Sequence, residues 1–321
     1  MDTKQSILSS LRSLVVVFCS ILIVFVAARN TITWHCQQFW GASADFWQAQ
    51  WDRILDVVGE DAYTLWYTGT MLVSFVTYWG LGGIYTVFDV LNKPSFIIKY
   101  KVQPGINEPV DRRKLLNTCL VVVINQVFSV PFVYAFYKAM EWRTYPPIRA
   151  LPTFHWVLVE LAVFLIIEEI CFYYIHRLFH HKSIYKYAHK KHHEWTAPIA
   201  ITAIYNHPIE HIICNIIPIL LSVFIMGSHV ATSYLWLVLA IFATLHTHSG
   251  YHLPFLPSPE FHDYHHLKFT QNYGVLGILD RLHGTDLQFR ASPEYNRHVY
   301  TYNFVAPREM YPDNIKYKQG K

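Results

Sequence analysis

Histidine spacing is the most chemically loaded feature of this 321-residue chain. It holds nineteen histidines, and fifteen of them fall between His176 and His266. They run His176-x3-His180-His181, His189-x2-His192-His193, His246-x-His248-x3-His252 and His262-x2-His265-His266. Offsets of three and four place side chains on one helix face, with Cβ atoms about 5–6 Å apart. Two or three imidazoles so placed converge on a cation from a single helix. Packed together without a cation, neutral imidazoles leave acceptor nitrogens short of donors, and protonating them crowds like charges. A metal removes both costs. Eight or more ligands exceed one ion, since zinc takes about four and iron about six, so two ions are expected. Imidazole suits iron, zinc and copper alike.

The elements that must position these groups are largely apolar. Hydrophobic residues make up 53% of the chain and charged residues 15%, against about a quarter charged in soluble domains. The net charge of +4 is too mild to suggest a nucleic-acid face. Cys19, Cys36, Cys119, Cys171 and Cys214 are too far apart for a CxxC site or a disulfide scaffold. Uncharged runs at 13–28, 62–88 and 115–137 read as membrane spans, the first as a signal anchor or a cleaved leader. A fourth span begins near Leu151 and carries His155, Glu160, Glu168 and Glu169, which predicts that these groups face other helices or a site. Segment 29–61 is expected as a loop. The segment from Asp89 to Lys114 holds Lys93, Lys99, Lys101, Arg112, Arg113 and Lys114, so the positive-inside rule makes it cytoplasmic. The histidine region then lies on that same side. Apolar arms at 212–226 and 230–245, broken at Gly227, predict a helical hairpin that dips in and returns, about 22 Å per arm. A site at the cytoplasmic rim can take an apolar substrate from lipid. Oxidising its unreactive C–H bonds calls for a redox metal and dioxygen, which favours iron.

The boxes His176-x3-His180, His189-x2-His192-His193 and His262-x2-His265-His266 resemble those of the fatty acid hydroxylase/sterol desaturase superfamily of membrane oxygenases. The resemblance runs from about Glu168 to Asp286 and includes Tyr205-Asn-His-Pro-Ile-Glu210, His248-Ser-Gly-Tyr251, Asn272-Tyr-Gly274 and His283-Gly-Thr-Asp286. Within the superfamily the chain is most similar to the C-4 methylsterol oxidases. The stretch after Tyr251, through Leu267, is similar to a fatty acid hydroxylase domain-containing branch. The resemblance implies an all-α integral membrane protein, a four-helix transmembrane bundle with a cytosolic helical cap carrying a di-metal histidine cluster. It also implies two iron ions and residence in the endoplasmic reticulum. Oxygen chemistry on a sterol or long acyl chain follows, with electrons from cytochrome b5 and its NAD(P)H-dependent reductase. The implied organisation is membrane helices over 1–150, a catalytic domain over 151–290 and a polar tail over 291–321, surface-lying or mobile.

On this reading His176, His180, His189, His192, His193, His262, His265 and His266 are ligands, and His248 joins them as the family's further histidine. His207 and His252 stand between ligand and supporting roles. Glu169 lies on one stripe with Tyr173, His176 and His180, placed to accept from a ligand histidine; Glu168, Glu210 and Asp263 are similar candidates. His181, His211, His229 and His246 read as structural or solvated, His283 as a turn stabiliser, and His35, His155 and His298 as ordinary. Competing readings are an acyl or sphingoid-chain hydroxylase or desaturase, a catalytically silent lipid-binding relative, and a metal transporter. The last places its ligands within spans, whereas these lie outside them.

Overall fold

The computed structural model describes residues 3–313, without the side chains of residues 3–11 and of Asn30. Residues 314–321 of the expected polar tail lie outside the described residues. Helices dominate, and among the described residues the only β pairing is an isolated bridge between Lys101 and Tyr251. The chain divides into two units, residues 1–59 with 149–155, and residues 60–148 with 156–321.

The smaller unit is built on α1 (Thr3–Val58), one continuous helix. The expected loop over 29–61 is therefore mostly helical: it contains no proline, and its C-terminal end is fastened by side chains. Gln48 Nε2 donates to Arg149 O at 2.8 Å, Leu151 N donates to Gln48 Oε1 at 3.0 Å, and Trp40 stacks on Phe154. The apolar window Arg12–Arg29 is one of five segments among the described residues long and apolar enough to cross a membrane.

The other four segments are α2 (Thr64–Leu91), α3 (Arg112–Arg143), α5 (Pro208–Met226) and α6 (Val230–His248), all in the larger unit. Between them in sequence lies α4 (Phe154–Phe179), whose Glu160, Glu168 and Glu169 are all buried. Those acids keep α4 out of the apolar set, which differs from its expected place as a fourth span. The expected shallow hairpin is also longer than its uncharged runs. Each arm has 19 residues, or about 28 Å of helix. Pro208 opens α5 at a position where no amide donor is needed. Glu210 and His211 are then carried into the helix as buried polar groups. Gly227, at φ 63°, ends it.

Close approach explains how the helices meet. Tyr234 of α6 lies over Gly69 of α2, where a Cβ would fall 1.9 Å from the phenol oxygen. The hydroxyl donates to Leu65 O within the π-helical first turn of α2. A buried segment, Ile199–Tyr205, packs with Tyr78, Tyr85, Val121, Val122 and Leu245 into the main core cluster. Its backbone would be stranded without polar partners. Tyr78 donates to Ile201 O at 3.0 Å, and Asn125 Nδ2 donates to Ile204 O at 2.8 Å.

At the end of α2, Asp89 pairs with Lys101 at 3.1 Å and accepts from Tyr251 Oη at 2.9 Å, all three buried. Residues 293–313 are not a loose tail. Arg297 is buried beside Glu260 and Asp313, and Phe255 N donates to Thr301 O at 2.9 Å. Removing one partner of a buried ion pair costs far more than removing both. Lys101→Met should destabilise the protein by about 3–5 kcal/mol in detergent thermal unfolding. Adding Asp89→Asn to it should recover most of that loss.

Candidate metal centre

Four short segments bring the histidines together. His176 and His180 end α4, with His180 N donating to His176 O as the helix closes. The second box is not on a regular helix. It sits on successive turns finishing in a 3-10 turn at His192–Glu194, yet His193 N still reaches His189 O, so the offset of four keeps its geometry. His248 is the last residue of α6. His262, His265 and His266 lie on α7 (Glu260–Lys268).

They sort into two groups. His176, His180, His189, His193 and His265 form one, and His192, His248, His262 and His266 the other; within each, the ligand nitrogens lie within 4.8 Å of one another. In the first group Nε2 of His176 is 3.1 Å from that of His189. His193 Nε2 stands 3.0 Å from His189 and 3.2 Å from His180, and His180 is 3.1 Å from His265. In the second, His248 Nε2 is 3.3 Å from His192 and 2.9 Å from His262, which is 3.2 Å from His266. Two nitrogens bound at about 2.1 Å to one ion and at right angles to each other lie about 3.0 Å apart. The spacings suit shared coordination.

The outward nitrogens settle the tautomers. Nδ1–H donates to Tyr273 O from His176 (2.7 Å), to Gln271 O from His265 (2.6 Å) and to Glu210 Oε1 from His189 (2.8 Å). In the second group it donates to Thr244 O from His248 (2.8 Å) and to Trp195 O from His266 (3.0 Å). A carbonyl or carboxylate only accepts, so these five rings turn bare Nε2 lone pairs inward. Burial holds the imidazoles neutral. It pushes His180 down to about 2 and His189, His192, His193, His262, His265 and His266 well below their ordinary value, with neighbouring imidazoles adding repulsion. Neutral, converging nitrogens are the donor set a divalent cation needs.

The acids differ from expectation. Glu210 supports a ring, whereas Glu169 reaches no histidine and accepts from the amides of Val275, Leu276 and Leu279 at 2.7–3.0 Å. It fixes the loop that carries Tyr273. Asp263 accepts from Gln103 Nε2 at 2.9 Å instead of a ring, and burial pushes its carboxyl up to about 8. His207 and His252 join neither group. His207 Nδ1 caps α5 by accepting from Ile209 N, and His252 donates to Val299 O at 2.9 Å. His246 lies between Tyr85 Oη and Pro257 O, and the His283 ring stacks on Tyr173.

Residues missed at the sequence level act through their backbones. The carbonyls of Thr244, Gln271 and Tyr273 leave no side-chain signature, though Asn272-Tyr-Gly274 marks the place. Asp280 accepts from Tyr273 N and Gly274 N, and Thr285 Oγ1 donates to the same carboxylate. A Cβ at Gly274 would meet Asp280 at 2.8 Å and Glu169 at 2.9 Å, so only glycine fits. Beside the histidines, α2, α3, α5 and α6 enclose a cavity of about 120 Å³. Thr244, whose carbonyl holds His248, and His211, next to Glu210, are on its wall.

Two predictions follow from this geometry. Supporting partners of ligand histidines typically contribute 10–100-fold to metal affinity. Glu210→Gln should weaken metal retention by about that factor in competition with a chelator, with the helical content unchanged. Acid should also unfold the metal-stripped protein. Between the depressed folded values and the ordinary 6.5, the unfolded chain binds more protons than the folded one. Stability is therefore full above that value and falls as pH drops through it, by about 1.4 kcal/mol per pH unit for each imidazole. Thermal unfolding at pH 7.5 and 5.5 reads this directly; equal midpoints would contradict buried, neutral rings.

Residues 161–285 match the fatty acid hydroxylase family. Fatty acid hydroxylase domain-containing protein 2 of Homo sapiens is 49% identical over 308 residues, covering 96% of this chain and 92% of its own length. Methylsterol monooxygenase 1 of Gallus gallus is 30% identical over 255 residues (76% and 83%), and methylsterol monooxygenase 2-2 of Arabidopsis thaliana is 35% identical over 220 residues (63% and 80%). No solved structure matches. The chain belongs to the fatty acid hydroxylase family.

Proposed function

We propose that this chain is a di-iron monooxygenase that oxidises a lipid C–H bond, with a C-4 methyl group of a sterol as substrate. Under this reading it works in the endoplasmic reticulum membrane with its histidines facing the cytosol. Cytochrome b5 and its NAD(P)H-dependent reductase deliver the electrons. The observation that carries the proposal is the pair of neutral, inward-facing nitrogen groups, five and four strong, beside an uncharged cavity between apolar helices. Support for the sterol comes from the methylsterol monooxygenases among the relatives.

His176, His180, His189, His193 and His265 would hold one iron, and His192, His248, His262 and His266 the other. Iron bound there would supply activation of dioxygen, for an overall conversion of R–CH3, O2, two electrons and two protons to R–CH2OH and water. The chain's own part is positional. Glu210, Thr244, Trp195, Gln271 and Tyr273 aim the rings by accepting hydrogen bonds from their Nδ1–H groups. All nine imidazoles except His180 are buried, which keeps bulk water from the reacting centre. Glu169 and Asp280 clamp the 273–279 loop and so hold His176 indirectly.

The test is reconstitution of purified protein with iron, NADH, cytochrome b5 and its reductase, offered a 4-methylsterol and a long-chain fatty acyl substrate. An oxygen-dependent hydroxymethyl sterol is expected, and it should fall at least about a hundredfold in His192→Ala and in His265→Ala. Product from the acyl substrate alone would reassign the enzyme to chain hydroxylation. Full activity in either variant would undo the ligand assignment.

A further inference from the structure

The cavity between α2, α3, α5 and α6 has a polar belt that the metal centre does not use. None of its lining residues is Asp, Glu, Lys or Arg. A carboxylate or phosphate inside it would have no counter-charge, and burying an unpaired ion is prohibitive. Its occupant is therefore neutral at the end it inserts. The belt consists of Gln126 and Ser129 on α3 with His211 and Asn215 on α5.

Hydrogen-bond chemistry fixes which atoms remain available. Trp79 Nε1 can only donate, and it donates to Gln126 Oε1 at 2.9 Å. The amide orientation is thereby set, and Gln126 Nε2 keeps two donors without a partner among the described residues. Ser129 Oγ donates to Asn125 O at 3.0 Å, so it accepts from His211 Nε2–H at 2.9 Å. His211 Nδ1 then accepts from Asn215 Nδ2 at 3.5 Å, which leaves Asn215 Oδ1 as an open acceptor. Gln126 and Asn215 lie one helical turn to either side of the Ser129–His211 contact, one as donor and the other as acceptor.

We infer that this belt is a recognition site for the hydroxyl of a lipid alcohol. The hydroxyl either accepts from Gln126 Nε2 and donates to the Ser129 oxygen, or donates to Asn215 Oδ1 at the other end of the belt. A ketone or ester would satisfy only the donor side, and a bare hydrocarbon neither. Gln126 follows Asn125, whose amide holds the carbonyl of Ile204 on the cavity wall. The site rests on the oxygenase reading for its role in turnover, but binding can be measured apart from it.

The experiment uses the full-length, metal-loaded protein in nanodiscs and equilibrium binding of two matched pairs. One is a tritiated 4,4-dimethylsterol with its 3-deoxy counterpart; the other is octadecanol with octadecane. A site built to hydrogen-bond a hydroxyl rejects the analogue lacking it strongly. The alcohol of at least one pair should bind about tenfold tighter or more than its partner, and which pair does so separates a sterol from a long-chain alcohol. In Gln126→Leu or in Asn215→Leu, according to which end of the belt holds the hydroxyl, the preference should shrink to about twofold, with binding of the deoxy compound unchanged. Equal binding within both pairs by the unaltered protein, a comparison that needs no variant, would overturn the inference. So would a preference that survives both substitutions. A retained preference with no oxidation of the bound sterol would count against the oxygenase reading alone.

Discussion

Nine imidazoles point into two small volumes, and five of them turn inward a nitrogen that carries no proton. Each of those five rings holds its one N–H in a hydrogen bond to a carbonyl or carboxylate behind it. Where two such lone pairs meet, as Nε2 of His176 and His189 do at 3.1 Å, they repel unless a cation lies between them. Much of the surrounding structure makes sense as the scaffold that holds these lone pairs in place. The 269–286 segment, with its left-handed Asn272, its cramped Gly274 and its buried Asp280, sets one carbonyl toward His176 and another toward His265.

The helices below supply the complementary environment. Several of their polar groups are matched within the protein: Asn125 serves the Ile199–Asn206 segment, Asp89 serves Lys101 and Tyr251, and Tyr234 serves the freed carbonyl in the first turn of α2. Exposed surface on these helices is apolar, as at Leu72, Phe75, Leu116, Leu120 and Val127, which is what a lipid-facing wall requires. Between these helices lies a cavity without charged side chains, walled in part by Thr244, whose carbonyl holds His248, and by His211, next to the Glu210 that holds His189.

The two histidine groups were legible in the sequence because imidazoles that converge from one short segment sit at helical offsets, and both residue type and offset are written in the sequence. It also showed α2 and α3, whose uncharged runs are long. Supporting contacts were harder to see. Glu169 shares a helical stripe with His176, yet its carboxylate found three unpaired amides at the start of the 278–283 helix, which a stripe cannot reveal. The carbonyls of Trp195, Thr244 and Tyr273 belong to any residue type. Charge counting cut the hairpin arms short, because Glu210 and His211 are polar residues that helix packing buries. Continuous α1 was missed for a similar reason: its second half is polar enough to read as a loop, and the contacts that fasten its end come from Arg149 and Leu151, far along the chain.

The most direct test of paired cations is metal content and stoichiometry in purified protein, by elemental analysis on the intact chain and on two variants. Two ions per chain are expected in the unaltered protein. Each variant should retain about one: His189→Ala, which disrupts the five-histidine group, and His262→Ala, which disrupts the other. A chain that folds fully and holds no tightly bound metal, or a single ion lost in both variants, would contradict the account.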